Sequence, residues 1–380
     1  MPQVNYKEAL IAPLRRLVVK VGSAVLSEPT GLQTAVMANL ARQIDAIIRD
    51  GREVVLVTSG AIAAGRARLG RRTATMAERQ AAAATGQIEL MSQWAKAFGT
   101  HGRTVAQILL THQDLAERKR RLNAVHTIES LFAAGVIPIV NENDTVAVEE
   151  IRMGDNDVLS SLVAGMVQAG LLIILSDVAG VLTGDPRTRP DAQLIPLITD
   201  PEAAMRGLVA ERAGPLGSGG MATKLKAARQ AARAGICVII APGRESDTLI
   251  AALDATREVG TLVLPARRRL PGRKHWIAFA LRPKGALALD RGAAEALRTK
   301  GRSLLASGIR EVSGEFASGD CVSLLDPEGV EFGRGLVNYP AADVLKVKGM
   351  KSQEIPRVLG YRVADEIIHR DNFVLIEDLA

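Results

Sequence analysis

The chain has 380 residues, of which 47% are hydrophobic and 3% aromatic, and its formal net charge is +7. This length allows two or three domains with cores of their own, and so few aromatic residues argue against a stacking platform for single-stranded nucleic acid. No apolar run reaches the roughly 18 residues of a membrane span and the first residues lack a signal-peptide pattern, so a cytoplasmic protein with no membrane partner is expected.

Short apolar strands alternate with helical segments over about the first 260 residues. The predicted strands are 17–22, 53–60, 104–110, 136–140, 171–176 and 235–240. The clearest helical pattern runs from about Leu32 to Arg49. Near-continuous apolar strands separated by helices are typical of a parallel sheet covered on both faces. We therefore predict an α/β domain with a doubly wound, mostly parallel sheet over residues 1–265.

The sequence pattern changes near residue 265. Residues 264–274, LPARRRLPGRK, combine proline, glycine and basic residues and predict a linker or exposed hairpin. Short alternating runs broken by Gly, Pro and Asp follow, which predicts a small β-rich domain at 275–360. In the tail, residues 361–380, the pattern indicates a short helix and a strand, and this strand could return to the first domain.

Cysteine and histidine give no support for a metal or redox site. Cys237 and Cys321 lie in apolar runs without ligand-spaced partners, so both are interpreted as core residues. The five histidines show no H-E-x-x-H spacing, and no metal-ligating residues are predicted.

Small and polar residues follow the predicted strands. In open α/β sheets, ligands bind at the carboxyl ends of the strands. The residues at these ends are Lys20, Gly22, Ser23, Thr58, Ser59, Gly60, Ser176 and Asp177. Such small polar ends suit one shared site for a phosphate-bearing ligand.

An acidic segment, NENDTVAVEEIRMGDND at 141–157, follows the fourth predicted strand. Three interpretations compete for its six carboxylates: a solvated acidic face, a calcium loop, and a site for a cationic group or a magnesium nucleotide. The spacing is wrong for a calcium loop. A solvated face suits Glu149 and Glu150 but not Asp144, which comes almost directly after a buried strand. In GDND, helix capping explains one side chain and leaves the others unexplained.

A glycine-rich loop, GPLGSGGMATK at 214–224, leads into a helix that starts at Met221 and reaches at least Arg233. Backbone N–H groups at such a loop suit phosphate oxygens, and Lys224 adds a full charge. The loop matches neither G-x-x-x-x-G-K-[ST] nor G-x-G-x-x-G, and a structural turn remains an equal alternative.

Six segments together resemble the glutamate 5-kinase family of the amino acid kinase superfamily. They are VVKVGSAVL, LVTSGAIAAG, VNENDTV, GDNDVLSSLVA, SDVAGVLTGDPR and GSGGMATKLKAA, in order over about 255 residues. The segment at 275–360 is similar to the PUA domain of many bacterial members. The resemblance implies ATP- and Mg²⁺-dependent phosphorylation of the γ-carboxylate of L-glutamate to L-glutamyl 5-phosphate, the first step of proline biosynthesis.

The resemblance also implies roles for individual residues. Lys20 and Lys224 match the two catalytic lysines, and Asp157 matches the acid that holds them. Asp144 would receive the α-ammonium of glutamate, with Asn156 and Ser59 as further substrate contacts. The residues implied in ATP binding are Lys20, Ser176, Asp177, Ser218, Gly219, Gly220, Met221, Ala222, Thr223 and Lys224. Asp155 would either assist magnesium or cap a helix.

Proline is expected as a feedback inhibitor, and a homo-oligomer as the assembled form.

Acetylglutamate kinase and aspartokinase share the fold, but an acetylated amine would not require Asp144 and an aspartokinase would normally carry another regulatory domain. RNA binding by the PUA-like domain is a weaker alternative, because residues 271–380 carry 16 basic against 15 acidic side chains.

Overall fold

The computed structural model of the chain describes residues 3–28, 30–70, 73–146, 156–184, 189–204, 220–266, 270 and 272–376. The chain divides into two compact units, Met1–Arg269 and Leu270–Ala380. The division falls within the arginine-rich segment at 264–274, of which residues 267–269 and 271 lie outside the described part. None of the described helices is both long enough and apolar enough to cross a membrane.

One eight-stranded sheet organises the described part of the first unit. The strands of this unit are β1 (Arg16–Val21), β2 (Ser27–Glu28), β3 (Gly31–Leu32), β4 (Glu53–Val57), β5 (Val105–Leu110), β6 (Ile137–Glu142), β7 (Leu171–Ser176), β8 (Leu197–Ile198), β9 (Cys237–Pro242) and β10 (Thr261–Val263). The sheet order is β5-β6-β4-β1-β7-β9-β10-β8, and β2 pairs with β3 as a separate hairpin. Neighbouring strands of the sheet run parallel except for the antiparallel pair β9 and β10. The predicted mostly parallel sheet is confirmed.

Helices connect these strands and cover the sheet. They are α1 (Val4–Leu10), α2 (Ser23–Leu26), α3 (Thr34–Arg49), α4 (Ala61–Leu69), α5 (Met76–Gly99), α6 (His112–Ala116), α7 (Arg118–Ala133), α8 (Asn156–Met166), α9 (Met221–Arg233) and α10 (Thr248–Leu253). Helix α3 buries Met37, Leu40, Ile44 and Ile47, a helical spacing that forms one apolar face. All six residues of β7 are buried, as expected for a central strand with both faces covered.

Two glycines let α4 and α5 cross with their backbones in contact. A Cβ atom at Gly65 would lie 1.8 Å from the carbonyl oxygen of Ala82, and one at Gly86 would lie 1.8 Å from that of Ala61. No side chain fits at either position without moving a helix. The start of α4 is therefore fixed against the first half of α5.

The second unit contains a five-stranded mixed sheet. Its strands are β11 (Gly285–Leu289), β12 (Ile309–Gly314), β13 (Cys321–Leu325), β14 (Glu331–Leu336) and β15 (Phe373–Leu375), in the order β12-β11-β13-β14-β15. Its α-helices are α11 (Gly272–Phe279), α12 (Arg291–Lys300), α13 (Ala341–Val347) and α14 (Ile355–Leu359). The core of this unit includes Leu287, Val322, Tyr339 and Phe373. The predicted β-rich fold is confirmed.

The C-terminal tail belongs to the sheet of the second unit. Strand β15 pairs antiparallel with β14, so that Phe373 lies opposite Gly335. The expectation that this strand could return to the first domain is therefore wrong. Phe373 and Val374 are buried, and pairing with β14 lets the tail bury them within its own unit.

Candidate active site

Polar residues at the carboxyl ends of β6, β4, β1 and β7 line one cleft. These four strands are neighbours in the sheet, so the residues that follow them meet at the same edge. The cleft has a volume of about 570 Å³. The predicted site residues that line it are Lys20, Ser59, Asp144, Asn156, Ser176, Asp177 and Lys224. The residues expected to contact substrate and those expected to contact nucleotide thus share one cavity.

Asp157 pairs with two lysines in the protein interior. Its Oδ2 lies 3.1 Å from Nζ of Lys224, and its Oδ1 pairs with Nζ of Lys20. The relative exposure is 0% for Asp157, 3% for Lys20 and 8% for Lys224. The three residues come from the first turn of α8, the end of β1 and the first turn of α9. One carboxylate therefore positions two ammonium groups from distant segments of the chain.

The two lysines keep Asp157 ionised. Burial alone would raise the pKa of Asp157, but the charges of Lys20 and Lys224 outweigh it and hold this pKa below its usual value of 3.8. The three charged groups then carry a net charge of about +1, which suits an anionic phosphoryl group. A Cβ atom at Gly22 would come within 3.4 Å of the Lys20 ammonium, so glycine keeps the space beside this charge open.

Asn156 has a fixed orientation between β4 and β6. Its Nδ2 donates to the carbonyl oxygen of Thr58 at 2.7 Å and to Oγ of Ser59 at 2.8 Å. It also donates to Oδ1 of Asn141 at 2.9 Å. Because its nitrogen is surrounded by acceptors, the amide cannot rotate without losing these bonds. Its Oδ1 is buried and accepts no hydrogen bond from the described residues.

Helix α5 supports this amide from behind, and sequence reasoning missed its contribution. Gln87 Oε1 accepts from Nδ2 of Asn141 at 2.8 Å, and Nε1 of Trp94 donates to Oγ1 of Thr58 at 3.0 Å. Gln87 and Trp94 are seven residues apart and therefore share a helix face. The sequence did show a glutamine and a tryptophan on one face of a predicted helix. It did not show which strand this face would contact.

Asp144 lies in the turn that follows β6 and lines the cleft. Burial raises the pKa of its carboxyl group, and the positive charge of Arg79 acts in the opposite direction. Arg66 and Arg79, on α4 and α5, line the same cleft. Neither arginine was predicted, because both lie outside the segments that carry the resemblance and their helices meet the cleft only in the folded protein.

The end of β7 and the start of α9 form the other side of the cleft. Ser176 Oγ donates to Oδ1 of Asp177 at 3.1 Å. Gly220 is the N-cap of α9, whose first turn contains Met221, Ala222, Thr223 and Lys224. Thr223 Oγ1 donates to the carbonyl oxygen of Gly220 at 2.7 Å. The predicted residues Ser218 and Gly219, and also Asp155, lie outside the described residues.

A divalent metal held by the protein alone has no support in the described ranges, which contain no group of three or more His, Cys, Asp or Glu side chains placed to hold one. Magnesium bound to a nucleotide requires less, because Mg²⁺ usually takes most of its ligands from phosphates and water and only one or two from carboxylates. The carboxylate of Asp177 in the cleft fits this smaller requirement.

Two family models match the chain, one within each unit. Residues 15–242 match the model of the "Amino acid kinase family", and residues 285–359 match that of the "PUA domain". Among solved structures, UMP kinase from Bacillus anthracis covers 67% of this chain and 97% of its own, with a TM-score of 0.47 and 17% identity.

Curated relatives match over nearly the full length of the chain. Glutamate 5-kinase of Thermus thermophilus is 50% identical over 366 residues, covering 96% of this chain and 98% of the relative. Glutamate 5-kinase of Moorella thermoacetica is 47% identical over 369 residues, covering 96% and 97%. That of Pelobacter propionicus is 46% identical over 373 residues, covering 97% and 100%. The chain therefore belongs to the glutamate 5-kinase family, within the amino acid kinases.

Proposed function

We propose that this chain transfers the γ-phosphoryl group of ATP to the γ-carboxylate of L-glutamate, and that Lys20, Lys224 and Asp157 form the catalytic centre. The product is L-glutamyl 5-phosphate, and the reaction is the first step of proline biosynthesis. The observation that supports these roles best is the buried arrangement of two lysines around one aspartate at the ligand-binding edge of the sheet.

A carboxylate acceptor explains why the site needs no general base. The γ-carboxylate of glutamate is ionised at pH 7 and is already a nucleophile, so catalysis consists of positioning and charge stabilisation. Lys20 and Lys224 would contact the phosphoryl oxygens from opposite sides as negative charge shifts during transfer. Asp157 touches neither reactant in this scheme and acts by positioning the lysines.

The cleft divides into two halves around these lysines. Ser59, Asp144 and Asn156 lie on the β4 and β6 side and would hold glutamate. Ser176 and Asp177 lie on the β7 side and would face the adenosine part of ATP. The phosphates would then reach the lysines along the loop at 218–224. Bound Mg²⁺ would neutralise part of the phosphate charge.

An ADP-release assay with three acceptors tests the function. L-glutamate, N-acetylglutamate and L-aspartate are supplied side by side, and only L-glutamate is expected to support rapid turnover. A preference for N-acetylglutamate or L-aspartate would instead assign the chain the activity of another amino acid kinase. An assay without added Mg²⁺ is expected to show little turnover.

Replacing Asp144 with alanine is expected to raise the KM for glutamate by about 10- to 100-fold, since a hydrogen bond to a charged group is lost. The KM for ATP should change little, because Asp144 lies on the opposite side of the cleft from Ser176 and Asp177. Initial rates with each substrate varied in turn measure both constants. A large rise in the KM for ATP with an unchanged value for glutamate would move Asp144 to the nucleotide side.

Feedback inhibition by proline fits the same half of the cleft. Proline shares the α-amino acid head group of glutamate, so groups that bind the ammonium and carboxylate of one ligand would bind those of the other. We propose that the segment 141–157, of which residues 147–155 lie outside the described part, senses both ligands. Inhibition that is indifferent to glutamate concentration and to changes in this segment would contradict the proposal.

The second unit is proposed to tune regulation or assembly, including formation of a homo-oligomer, without taking part in phosphoryl transfer. The described residues that line the cleft all belong to the first unit. A protein ending at residue 269 is therefore expected to fold and retain glutamate kinase activity, and to differ chiefly in its oligomer distribution. Circular dichroism and size-exclusion chromatography provide the folding control. A folded truncation that forms no glutamyl phosphate would show that the second unit completes the active site.

Two further parts of the proposal concern location and nucleic acid. We place the enzyme in the cytoplasm, where ATP and glutamate are available.

RNA binding by the second unit remains the weaker alternative, because its basic and acidic side chains nearly balance. A gel-shift titration with structured RNA at about 150 mM salt is expected to show no specific complex.

A further inference from the structure

Two charged side chains in the cleft lack partners among the described residues. Arg79 and Asp144 both line the cavity, yet neither side chain makes an ion pair or hydrogen bond with any described residue. The two side chains also form no ion pair with each other, because none of the distances between a nitrogen of Arg79 and a carboxylate oxygen of Asp144 is 4.0 Å or less. Opposite charges in a partly desolvated cleft normally pair with each other or with a ligand, because unpaired burial is costly.

The other described cations of the cleft are engaged differently. Lys20 and Lys224 pair with Asp157. Arg66 is exposed, and its Nε donates to Oγ1 of Thr73 at 2.6 Å, which directs part of this guanidinium away from a ligand. Arg79 is half-buried and has its full set of guanidinium donors available within the described structure. Among the described cations of the cleft, Arg79 is thus the best placed to bind a second anion.

We propose that Arg79 binds the α-carboxylate of the glutamate substrate while Asp144 binds its α-ammonium. This assignment rests on the proposed function of the cleft. An amino acid carries both charges on one carbon atom, so its head group bridges an acid and a base that do not touch each other. Arginine suits this role because its guanidinium can donate two parallel hydrogen bonds to one carboxylate.

The location of Arg79 agrees with the direction in which glutamate must lie. The γ-carboxylate has to reach Lys20 and Lys224 for phosphoryl transfer, so the α-carbon points away from the lysines. From β1 the sheet continues through β4 to β6, and Asp144 follows β6. Arg79 lies in the first turn of α5 and lines the same cavity. The burial that raises the pKa of Asp144 is opposed by the charge of Arg79, so the two groups share one electrostatic environment.

The protein also holds Arg79 in place. The start of α5 is fixed by a capping box, in which Thr75 Oγ1 accepts from the N–H of Glu78 and the Glu78 carboxylate accepts from the N–H of Thr75. The close contact between Gly86 and the carbonyl of Ala61 joins this helix to α4, which begins two residues after Ser59. The backbone of Arg79 is therefore fixed beside the substrate side of the cleft, while its side chain stays available to a ligand.

Substrate analogues test the assignment one charge at a time. 4-Aminobutyrate keeps the ammonium and the reacting carboxylate but lacks the α-carboxylate, whereas glutarate keeps both carboxylates and lacks the ammonium. For the Arg79→Gln variant, we expect the preference in kcat/KM for glutamate over 4-aminobutyrate to fall by about 10- to 100-fold, with the value for 4-aminobutyrate unchanged. An analogue that turns over slowly is measured by its Ki as a competitive inhibitor against glutamate.

Further variants separate this role from a structural one. Arg79→Lys is expected to lose an intermediate part of the preference, since it keeps the charge without the paired donors. Arg68→Gln serves as the matched control, because Arg68 is an exposed arginine of α4 whose side chain is 68% accessible. This variant should leave the preference for glutamate over 4-aminobutyrate unchanged. Equal losses with glutamate and 4-aminobutyrate in Arg79→Gln would overturn the proposal, as would a loss of preference in Arg66→Gln but not in Arg79→Gln.

The outcomes also distinguish this proposal from the function on which it rests. If the wild-type protein releases no ADP with glutamate, the proposed function itself fails. If the wild type is active and Arg79→Gln keeps its preference, only the role of Arg79 fails. Asp144→Asn is tested separately with glutarate, for which this variant should lose little affinity relative to the wild type.

Discussion

Replacing either Lys20 or Lys224 with alanine is expected to lower kcat by about 10²- to 10³-fold, the usual loss when a preorganised electrostatic donor is removed. The loss should fall on kcat because the lysines stabilise charge that shifts during phosphoryl transfer, whereas glutamate is held by residues on the β4 and β6 side. The KM for glutamate should therefore change little. Steady-state kinetics with saturating ATP measure both constants.

Lys226 provides the matched control for this prediction. It lies two residues after Lys224 in α9 but is exposed, so Lys226→Ala should leave kcat unchanged. Thermal unfolding of each variant tests whether the fold survives. We expect it to survive, because one lysine still pairs with Asp157 after the other is removed. A folded Lys20→Ala or Lys224→Ala variant with nearly normal kcat would exclude that lysine from the catalytic centre.

The residues at the ends of the strands were the part of the site most accessible from sequence. Six apolar runs predicted six strands of the sheet, and each corresponds to an observed strand. Parallel strands place their carboxyl ends at one edge, so the proximity of Lys20 and Ser59 could be expected from the apolar runs that precede them. The order of the strands could not be derived in this way, because apolar runs of similar composition do not specify their neighbours.

The helical contribution to the cleft was not predicted. Arg79 and Gln87 belong to a 24-residue helix whose sequence is rich in alanine, and one turn of such a helix resembles the next. Gly65 and Gly86 fix the helix crossing, but a glycine in a sequence does not show what will approach it. Such contacts depend on tertiary packing, which brings together segments that share no local signal.

Short elements were missed for a related reason. Strands β8 and β10 have two and three residues, too few to show a period, and the antiparallel pairing of β10 with β9 has no local signal. The expectation for the tail was wrong because its apolar residues indicate burial without indicating where. Phe373 packs in the core of the second unit.

Replacing Asp157 with asparagine is expected to reduce both activity and stability. The variant keeps the shape of the side chain but leaves two buried ammonium groups without their carboxylate, a change that typically costs about 3–5 kcal/mol. Without this carboxylate the lysines lose their shared anchor, so kcat should fall by about 10²-fold or more. Urea unfolding at pH 7, together with kcat at saturating substrates, measures the two effects.

The pH dependence of the stability difference provides the sharper test of Asp157. Because its pKa is lowered in the folded protein, its stabilising contribution is fully present above the usual pKa of 3.8 and is lost as pH falls towards the folded value. The difference in unfolding free energy between wild type and Asp157→Asn should therefore be constant from about pH 5 to 7 and shrink below about pH 4. Asp45→Asn, at another buried aspartate that binds Arg103, provides a comparison in which stability changes but kcat does not. A stability difference that grows on acidification would contradict the pairing of an ionised Asp157 with Lys20 and Lys224.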